Sequence, residues 1–378
     1  MTVSGKWIAF LGAAALLAPS WAAGQTPAAA GGPAQILESQ CTSCHGLDLV
    51  TAKRASREEW TEILARMSAN GATLAASDTP AVLDHLVANY GPASDSEGAA
   101  TAAGSNRYDV DADWARLPEG MTWDASTTSI AADGKGQVVV LVRTAPYFRV
   151  FTRDGEFVRA WGDAGMFEEA HSVMFDPEGN IWATDSNGHA AYKFSPEGAL
   201  LMTLGTRGMA GDNTSEDLFN RPNAVAIAPN GDIYVSDGYV NSRIVHFTPD
   251  GQFVRIIGGA SGDGPGQLQL PHGVVVDSRG RIIVGDSDNS RVSVFDAEGR
   301  FVETWPFPSR GGMLITADDT VYVSDVAANA ISVVDRAGEL VETIGGLGRV
   351  HNITMDTDGA IYASDSLNRA VMKITPRN

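Results

Sequence analysis

Basic side chains are scarce: Lys and Arg number 27 against 46 Asp and Glu, for a formal net charge of -19. Nucleic-acid binding depends on clustered cations that displace counterions from phosphates. No such cluster occurs, so DNA and RNA are excluded as partners. Cysteine is nearly absent, with two in 378 residues, which excludes a disulfide-built scaffold. Long apolar runs are missing as well. The run from Trp7 to Leu17 has 11 residues, short of the roughly 20 that a membrane-spanning helix needs. Lys6 before it and Ser20-Trp21-Ala22 after it complete the pattern of an export signal cut after Ala22 or Ala23. Residues 1–23 are therefore expected to be removed, leaving a periplasmic or secreted chain with no membrane span.

The two cysteines that are present stand in "CTSCHG", Cys41 and Cys44 with His45 directly after, the C-x-x-C-H pattern of covalent haem c attachment. The thiols add to the haem vinyl groups and the imidazole becomes the proximal iron ligand. A redox C-x-x-C pair would want a preceding strand and a βαβ context, and a zinc site a second ligand pair; neither is there. The sixth iron ligand is expected from Met67, which shares a helical face with Trp60, Ile63 and Leu64 in "SREEWTEILARMSANG". In that stretch Ser56 and Glu59 make a capping box and Gly71 a stop. His85, in "DTPAVLDHL" with Thr79 as cap and Pro80 in the first turn, is the competing donor, and an open sixth position is the third case. Residues 34–91 resemble a small class I cytochrome c domain of three short helices. The resemblance implies one-electron transfer with a redox partner protein. The haem domain is expected over residues 24–92, and the small polar stretch 93–107 reads as a flexible linker.

From residue 108 to 378 the chain repeats with a period of about 40 to 50 residues. The clearest copy is "RPNAVAIAPNGDIYVSDGYVNSRIVHFTPDGQFVRIIGG": strand, N-G turn, strand ending in Asp237, strand ending at Phe247, D-G turn, strand. Aligned on the first turn, the copies carry Gly136, Gly179, Gly231, Gly280, Asp319 and Gly359, which predicts a six-bladed all-β propeller. Six residues further on, five copies carry Asp185, Asp237, Asp286, Asp325 and Asp365, expected to bond turn backbone and hold each blade. The last copy ends after three strands. The segment "RYDVDADWARLP" is expected to supply the missing outer strand and close the ring. The fold class is accordingly multidomain, a small all-α domain followed by a six-bladed propeller.

Eight residues before the turn position, at the start of each first strand, stand Thr128, His171, Asn223, His272, Gly311 and His351. Histidines fall on one slot in alternate blades. First strands line a propeller's channel, so equivalent positions in blades two, four and six approach the axis about 120° apart. Three converging imidazoles with open positions suit a divalent metal, zinc most readily, with iron or copper next. Three unrelated channel histidines bonded to water are the alternative, open at this point. His189 and His246 match no slot and read as structural or surface residues. Two further residues break the repeat. Arg143 stands where other blades have Ser186, Gly238, Ser287, Val326 and Ser366, and Tyr239 where they have Thr144, Asn187, Asp288, Ala327 and Leu367. With the metal they would supply a fixed cation and a phenol able to act as general base, or else they are surface decoration.

This constellation resembles the NHL-repeat propeller of the peptidyl-α-hydroxyglycine α-amidating lyases over residues 120–378. The resemblance implies zinc-binding histidines at His171 in "EAHSVMFDPEG", His272 in "LPHGVVVDSRG" and His351 in "RVHNITMDTDG". It also implies a catalytic arginine at Arg143 and a catalytic tyrosine at Tyr239, within "DGYVNSRI". The family has Asp directly after the third histidine, contributing to a structural calcium, and Met two before it; here these are Asn352 and Arg349. A neutral amide is a weaker calcium ligand than a carboxylate, which tells against calcium. Arg349 adds a cation that favours an anionic substrate.

Three functions follow. One is a metal-assisted lyase acting on a small substrate, which in this family cleaves a carbinolamine into amide and glyoxylate. Another is a metal-dependent oxidation of a small alcohol-like substrate whose electrons leave through the haem. The third is a non-enzymatic electron carrier whose propeller docks a redox partner.

Overall fold

A computed structural model describes residues 36, 37, 57, 60, 61, 63, 64, 67, 74, 75, 77–90, 107–123, 126–366 and 370–377. The chain divides into two compact units, Met1–Ala93 and Ser94–Asn378. The predicted leader, residues 1–23, lies outside the described residues. No described helix is long and apolar enough to cross a membrane.

In the first unit Thr79–Tyr90 is a helix whose Val82 and Leu86, four apart on one face, bury against Ile36, Leu37, Trp60 and Leu64. The Trp60 indole N–H donates to the Tyr90 carbonyl at 3.0 Å, satisfying an acceptor at the helix end. Thr79 does not cap this helix as its position suggests. Its hydroxyl donates back to the Ala75 carbonyl at 3.1 Å, and the Val82 amide bonds the Asp78 carbonyl at 3.0 Å, carrying the helical pattern one residue earlier. Other helical residues are 36, 37 and several between 57 and 67. A complete all-α haem fold is not shown among the described residues.

The second unit is six four-stranded antiparallel sheets. Blade one is Thr127–Ala132, Gln137–Val142, Phe148–Thr152 and Phe157–Trp161, in hydrogen-bonded order. Second strands such as "QVVVLV" are apolar on both faces because a neighbouring blade covers each face, and fourth strands such as "FVRAW" are partly exposed. Apolar residues accordingly form six clusters, one in each gap between adjacent blades. The turn between first and second strands needs a left-handed residue, met by Gly231 (φ 89) in blade three. Blade five has Asp319 there (φ 64), and its carboxylate takes hydrogen bonds from the Ser278 amide (2.8 Å) and hydroxyl (2.7 Å) of blade four.

The ring closes through the chain ends. Tyr108–Asp111 runs antiparallel to Ala370–Pro376, from Tyr108 opposite Pro376 to Asp111 opposite Lys373. Trp114 then fills the gap between blades six and one, its ring 4.9 Å from Tyr362 and 5.7 Å from Phe151. In blades two, three, four and six the repeated aspartate ties the blade to the loop that enters it, while Asp325 of blade five accepts from the turn amides of Ala327 and Ala328. Asp185 accepts from the amides of Glu168 (2.9 Å), Glu169 (2.7 Å) and Gly188 (3.0 Å). Asp237 accepts from the Asn220 amide (2.8 Å) and the buried Arg243 guanidinium (2.9 Å).

Candidate metal centre

Five of the first strands are irregular at their starts. Pairing with the second strand slips between Thr127 and Ser129, Ala170 and Val173, Pro222 and Ala224, Pro271 and Val274, and Val350 and Asn352. Inside each slip lies the slot residue. A bulge leaves such a residue out of the ladder, re-aims its side chain and frees its carbonyl. Two of the freed carbonyls are used, His171 Nδ1 donating to the Asn223 oxygen at 2.8 Å and His351 Nδ1 to the Thr128 oxygen at 2.6 Å, while in blade five, whose pairing has no slip, Gly311 stands ahead of the first strand and its carbonyl accepts from His272 Nδ1 at 3.2 Å. Each histidine leans on the slot carbonyl of the next blade. Even blades supply rings and odd blades supply acceptors, which gives the alternation in the sequence a physical cause.

A carbonyl can only accept, so each Nδ1 carries the hydrogen and each Nε2 keeps its lone pair. The ring centroids are 5.0 Å apart for His171 and His272, and 5.3 Å from each of these to His351. Ligand nitrogens of the three lie within 4.8 Å of one another. Burial, reinforced by His272 and His351, holds His171 well below the ordinary imidazole value. Burial and then His351 push His272 down to about 3. For His351 burial again dominates; Thr128 opposes it, Arg143 and Arg349 add to it, and the value falls to about 4. Three neutral imidazoles with fixed tautomers and converging lone pairs are what a divalent cation takes as ligands.

Tyr239, on the turn after the second strand of blade three, reaches this layer. Its hydroxyl donates to His171 Nε2 at 2.9 Å, and its ring lies 5.2 Å from that of His171. Burial is the first cause that pushes the phenol up to about 12, against a downward pull from Arg143 and Arg221. Arg143 bonds Glu169 at 3.1 Å, and Glu169 bonds Arg221 at 3.2 Å. The Arg221 guanidinium sits 5.0 Å from the Tyr239 ring centroid, and Arg221 holds a left-handed backbone (φ 63) whose amide donates to His189 Nδ1 at 3.2 Å.

The structure thus brings together His171, His272, His351, Tyr239 and Arg143 from the residues singled out in the sequence. Glu169 and Arg221 escaped notice there. Each lies two residues before a slot, as Arg349 does, and extending the repeat alignment by two positions would have shown them. His246 is bonded away from the axis, to Asp232 at 2.8 Å with its ring stacked 4.3 Å from Tyr234. Cys41, Cys44 and His45 lie outside the described residues. Met67 is half-buried on its helix; His85, also half-buried, has Nδ1 3.3 Å from the Asn89 amide nitrogen.

The buried neutral histidines make stability depend on pH. An unfolded chain protonates them below their ordinary value of 6.5, while the fold resists protonation down to about 3 for His272 and about 4 for His351. Unfolding therefore takes up protons across that window, and stability falls as pH falls through it. Metal-free protein is expected to lose on the order of 2 kcal/mol per histidine between pH 6.5 and 5. Thermal melts at pH 7, 6 and 5 check this, with a shallower dependence expected in His351→Asn.

Residues 219–247 and 268–295 match the NHL repeat. NHL repeat-containing protein 3 of Homo sapiens is 30% identical over 303 residues, 72% of this chain and 85% of that protein. Peptidylglycine alpha-amidating monooxygenase of Rattus norvegicus is 31% identical over 56% of this chain, which spans 24% of that longer protein. "Probable peptidyl-alpha-hydroxyglycine alpha-amidating lyase" of Caenorhabditis elegans is 27% identical over 60% of this chain and 69% of its own length. Among solved structures, a streptogramin B lyase superposes with a TM-score of 0.51 at 14% identity, covering 72% of this chain and 98% of that one. At that identity the likeness is one of fold.

Proposed function

The chain belongs to the NHL-repeat protein family, and we propose that its propeller is a metal-dependent lyase acting on a small substrate with a hydroxyl on the carbon whose bond is broken. One observation carries the reading: three histidine Nε2 lone pairs meet on the axis with the Tyr239 hydroxyl 2.9 Å from one of them. The donor set fits zinc, which takes three imidazoles and keeps an open position. A divalent cation held by His171, His272 and His351 would supply Lewis acidity toward the substrate's oxygen. The His171 lone pair can serve that cation or the Tyr239 hydroxyl, not both, so a loaded site frees the phenol to face the substrate. Tyr239 then acts as a proton relay: its own O–H hydrogen passes to the departing nitrogen as the phenol oxygen takes the substrate's hydroxyl proton, the carbon becomes a carbonyl and the carbon–nitrogen electron pair goes to nitrogen. No electrons are gained or lost. Arg143, fixed by Glu169, stabilises charge on the phenol and on the oxygen.

A second reading is favoured by C-x-x-C-H at Cys41, Cys44 and His45 in the same chain. Here the hydroxyl-bearing carbon is oxidised and electrons pass to haem c and on to a redox partner protein. In this reading His45 and Met67 are the axial ligands, and the chain is exported to the periplasm or beyond. The test is metal and haem analysis of the purified full chain, then anaerobic addition of α-hydroxyhippurate or a simple alcohol. Amide and glyoxylate released with no haem reduction support the lyase. Haem reduction that disappears in His272→Ala supports oxidation, and absence of a stoichiometric metal overturns both.

A further inference from the structure

Of the slot residues in the odd blades, Asn223 of blade three carries the largest side chain, and in ring order it stands between His171 and His272, whose ring centroids are 5.0 Å apart. Its backbone is held as that of a histidine slot is. Strand pairing slips between Pro222 and Ala224 as it does between Pro271 and Val274. The Thr184 hydroxyl donates to the Asn223 carbonyl at 2.9 Å, as the Ser236 hydroxyl does to the His272 carbonyl at 2.7 Å. The Asn223 amide therefore belongs to the histidine layer. It is fully buried, and neither its Oδ1 nor its Nδ2 has a hydrogen-bond partner among the described residues. A buried amide with donor and acceptor both orphaned costs stability, and such a group persists where a function uses it. From the same slot an asparagine amide ends nearer its backbone than an imidazole Nε2 does. It stops short of the point where the three lone pairs meet and faces what a cation there would carry. The phenol bonded to His171 Nε2 at 2.9 Å gives way when a cation takes that lone pair, and a ligand then reaches the amide.

We infer that Asn223 is a specificity-determining residue that touches the substrate: its Nδ2 donates to the oxygen on the reacting carbon, and its Oδ1 accepts from the N–H bonded to that carbon. The O–C–N–H sequence of an N-acylated carbinolamine presents an acceptor and a donor on either side of one carbon. That order complements the H–N–C=O of a primary amide, so the two bonds form together, as they do when asparagine reads the edge of adenine. A plain alcohol brings no N–H and leaves Oδ1 buried and unpaired. A site built around such a bond discriminates against the analogue that lacks the group. The inference rests on the lyase reading of the histidine layer.

The test is calorimetric titration of the zinc-loaded full chain with α-hydroxyhippurate and with its analogue that has a methylene in place of the N–H. Binding is measured in a Tyr239→Phe background, which slows consumption of the substrate; product release is followed separately in the chain that keeps Tyr239. The N–H compound is expected to bind about ten- to a hundredfold more tightly than the methylene analogue, and Asn223→Leu should bring the two to within about threefold. Asn223→Leu should hold a full equivalent of zinc, because the carbonyl that orients His171 is backbone and stays. It should also melt no lower than the parent, since the two orphaned atoms are gone. Equal binding of the two compounds, or a preference that survives Asn223→Leu, overturns the inference. A lowered melting temperature with the preference unchanged makes the amide structural and overturns it too. Amide and glyoxylate released with no N–H preference defeat this inference and spare the lyase reading. An N–H preference that is lost in Asn223→Leu, without product release, supports the contact and defeats the lyase. Should Asn223→Leu fail to fold, Asn223→Ala gives the same comparison.

Discussion

Replacing His272 by alanine is expected to leave a folded propeller that has lost its divalent cation and its turnover. His272 is buried, and its ring Nδ1 donates to the Gly311 carbonyl at 3.2 Å. Removing the ring leaves that carbonyl to a water, at a cost of roughly 1–3 kcal/mol. The blade gaps, which hold the six apolar clusters, are untouched. Metal binding is another matter. Loss of an outer hydrogen-bond partner of a ligand already costs about 10- to 100-fold in affinity, and loss of one of three ligands should cost about 10³-fold or more. Bound metal should fall from one equivalent to a trace and turnover with it, while the melting transition stays cooperative. His246→Ala is the matched control, since that ring bonds Asp232 and stacks on Tyr234 away from the axis. Its metal content should match the parent protein. An inactive His272→Ala that still holds a full equivalent of metal would show that the three histidines are not the ligand set.

Much of this site was legible because a propeller writes its geometry into a repeat. The turn residues fix the register, and one position read across six copies exposes His171, His272 and His351 at once. The outlying Arg143 and Tyr239 show in the same way, as departures from small neighbours. Other features were hidden because backbone, not side chains, carries them. Nothing in Thr128, Asn223 or Gly311 announces that its carbonyl will orient the histidine of the preceding blade. Glu169 and Arg221 read as ordinary charges in entry loops; only the ring brings their blades together at one phenol. The first unit was less legible still, since Thr79 looked like a cap and instead bonds back to Ala75. There a single motif, not a period, carried the expectation.

Tyr239→Phe should show the opposite signature to His272→Ala: metal retained and turnover lost by about 10² to 10⁴-fold, the range expected when a positioned proton carrier is removed. Phenylalanine preserves the ring on which the Arg221 guanidinium lies at 5.0 Å, and the edge contact with His171 at 5.2 Å, so the local packing survives. The hydroxyl alone is lost, and with it the hydrogen bond to His171 Nε2 at 2.9 Å. Because that hydroxyl competes with a cation for the same lone pair, the variant should bind zinc as tightly as the parent or more tightly. Titration of metal-free protein against a chromogenic zinc chelator measures this directly. Product release under saturating substrate gives the other half, and the loss should fall on kcat with KM little changed, since the proton moves only in the transition state. Weaker zinc binding in Tyr239→Phe would make the phenol a ligand or a support for one. Undiminished kcat would remove it from the chemistry altogether and leave Arg143, with its partner Glu169, as the group to pursue.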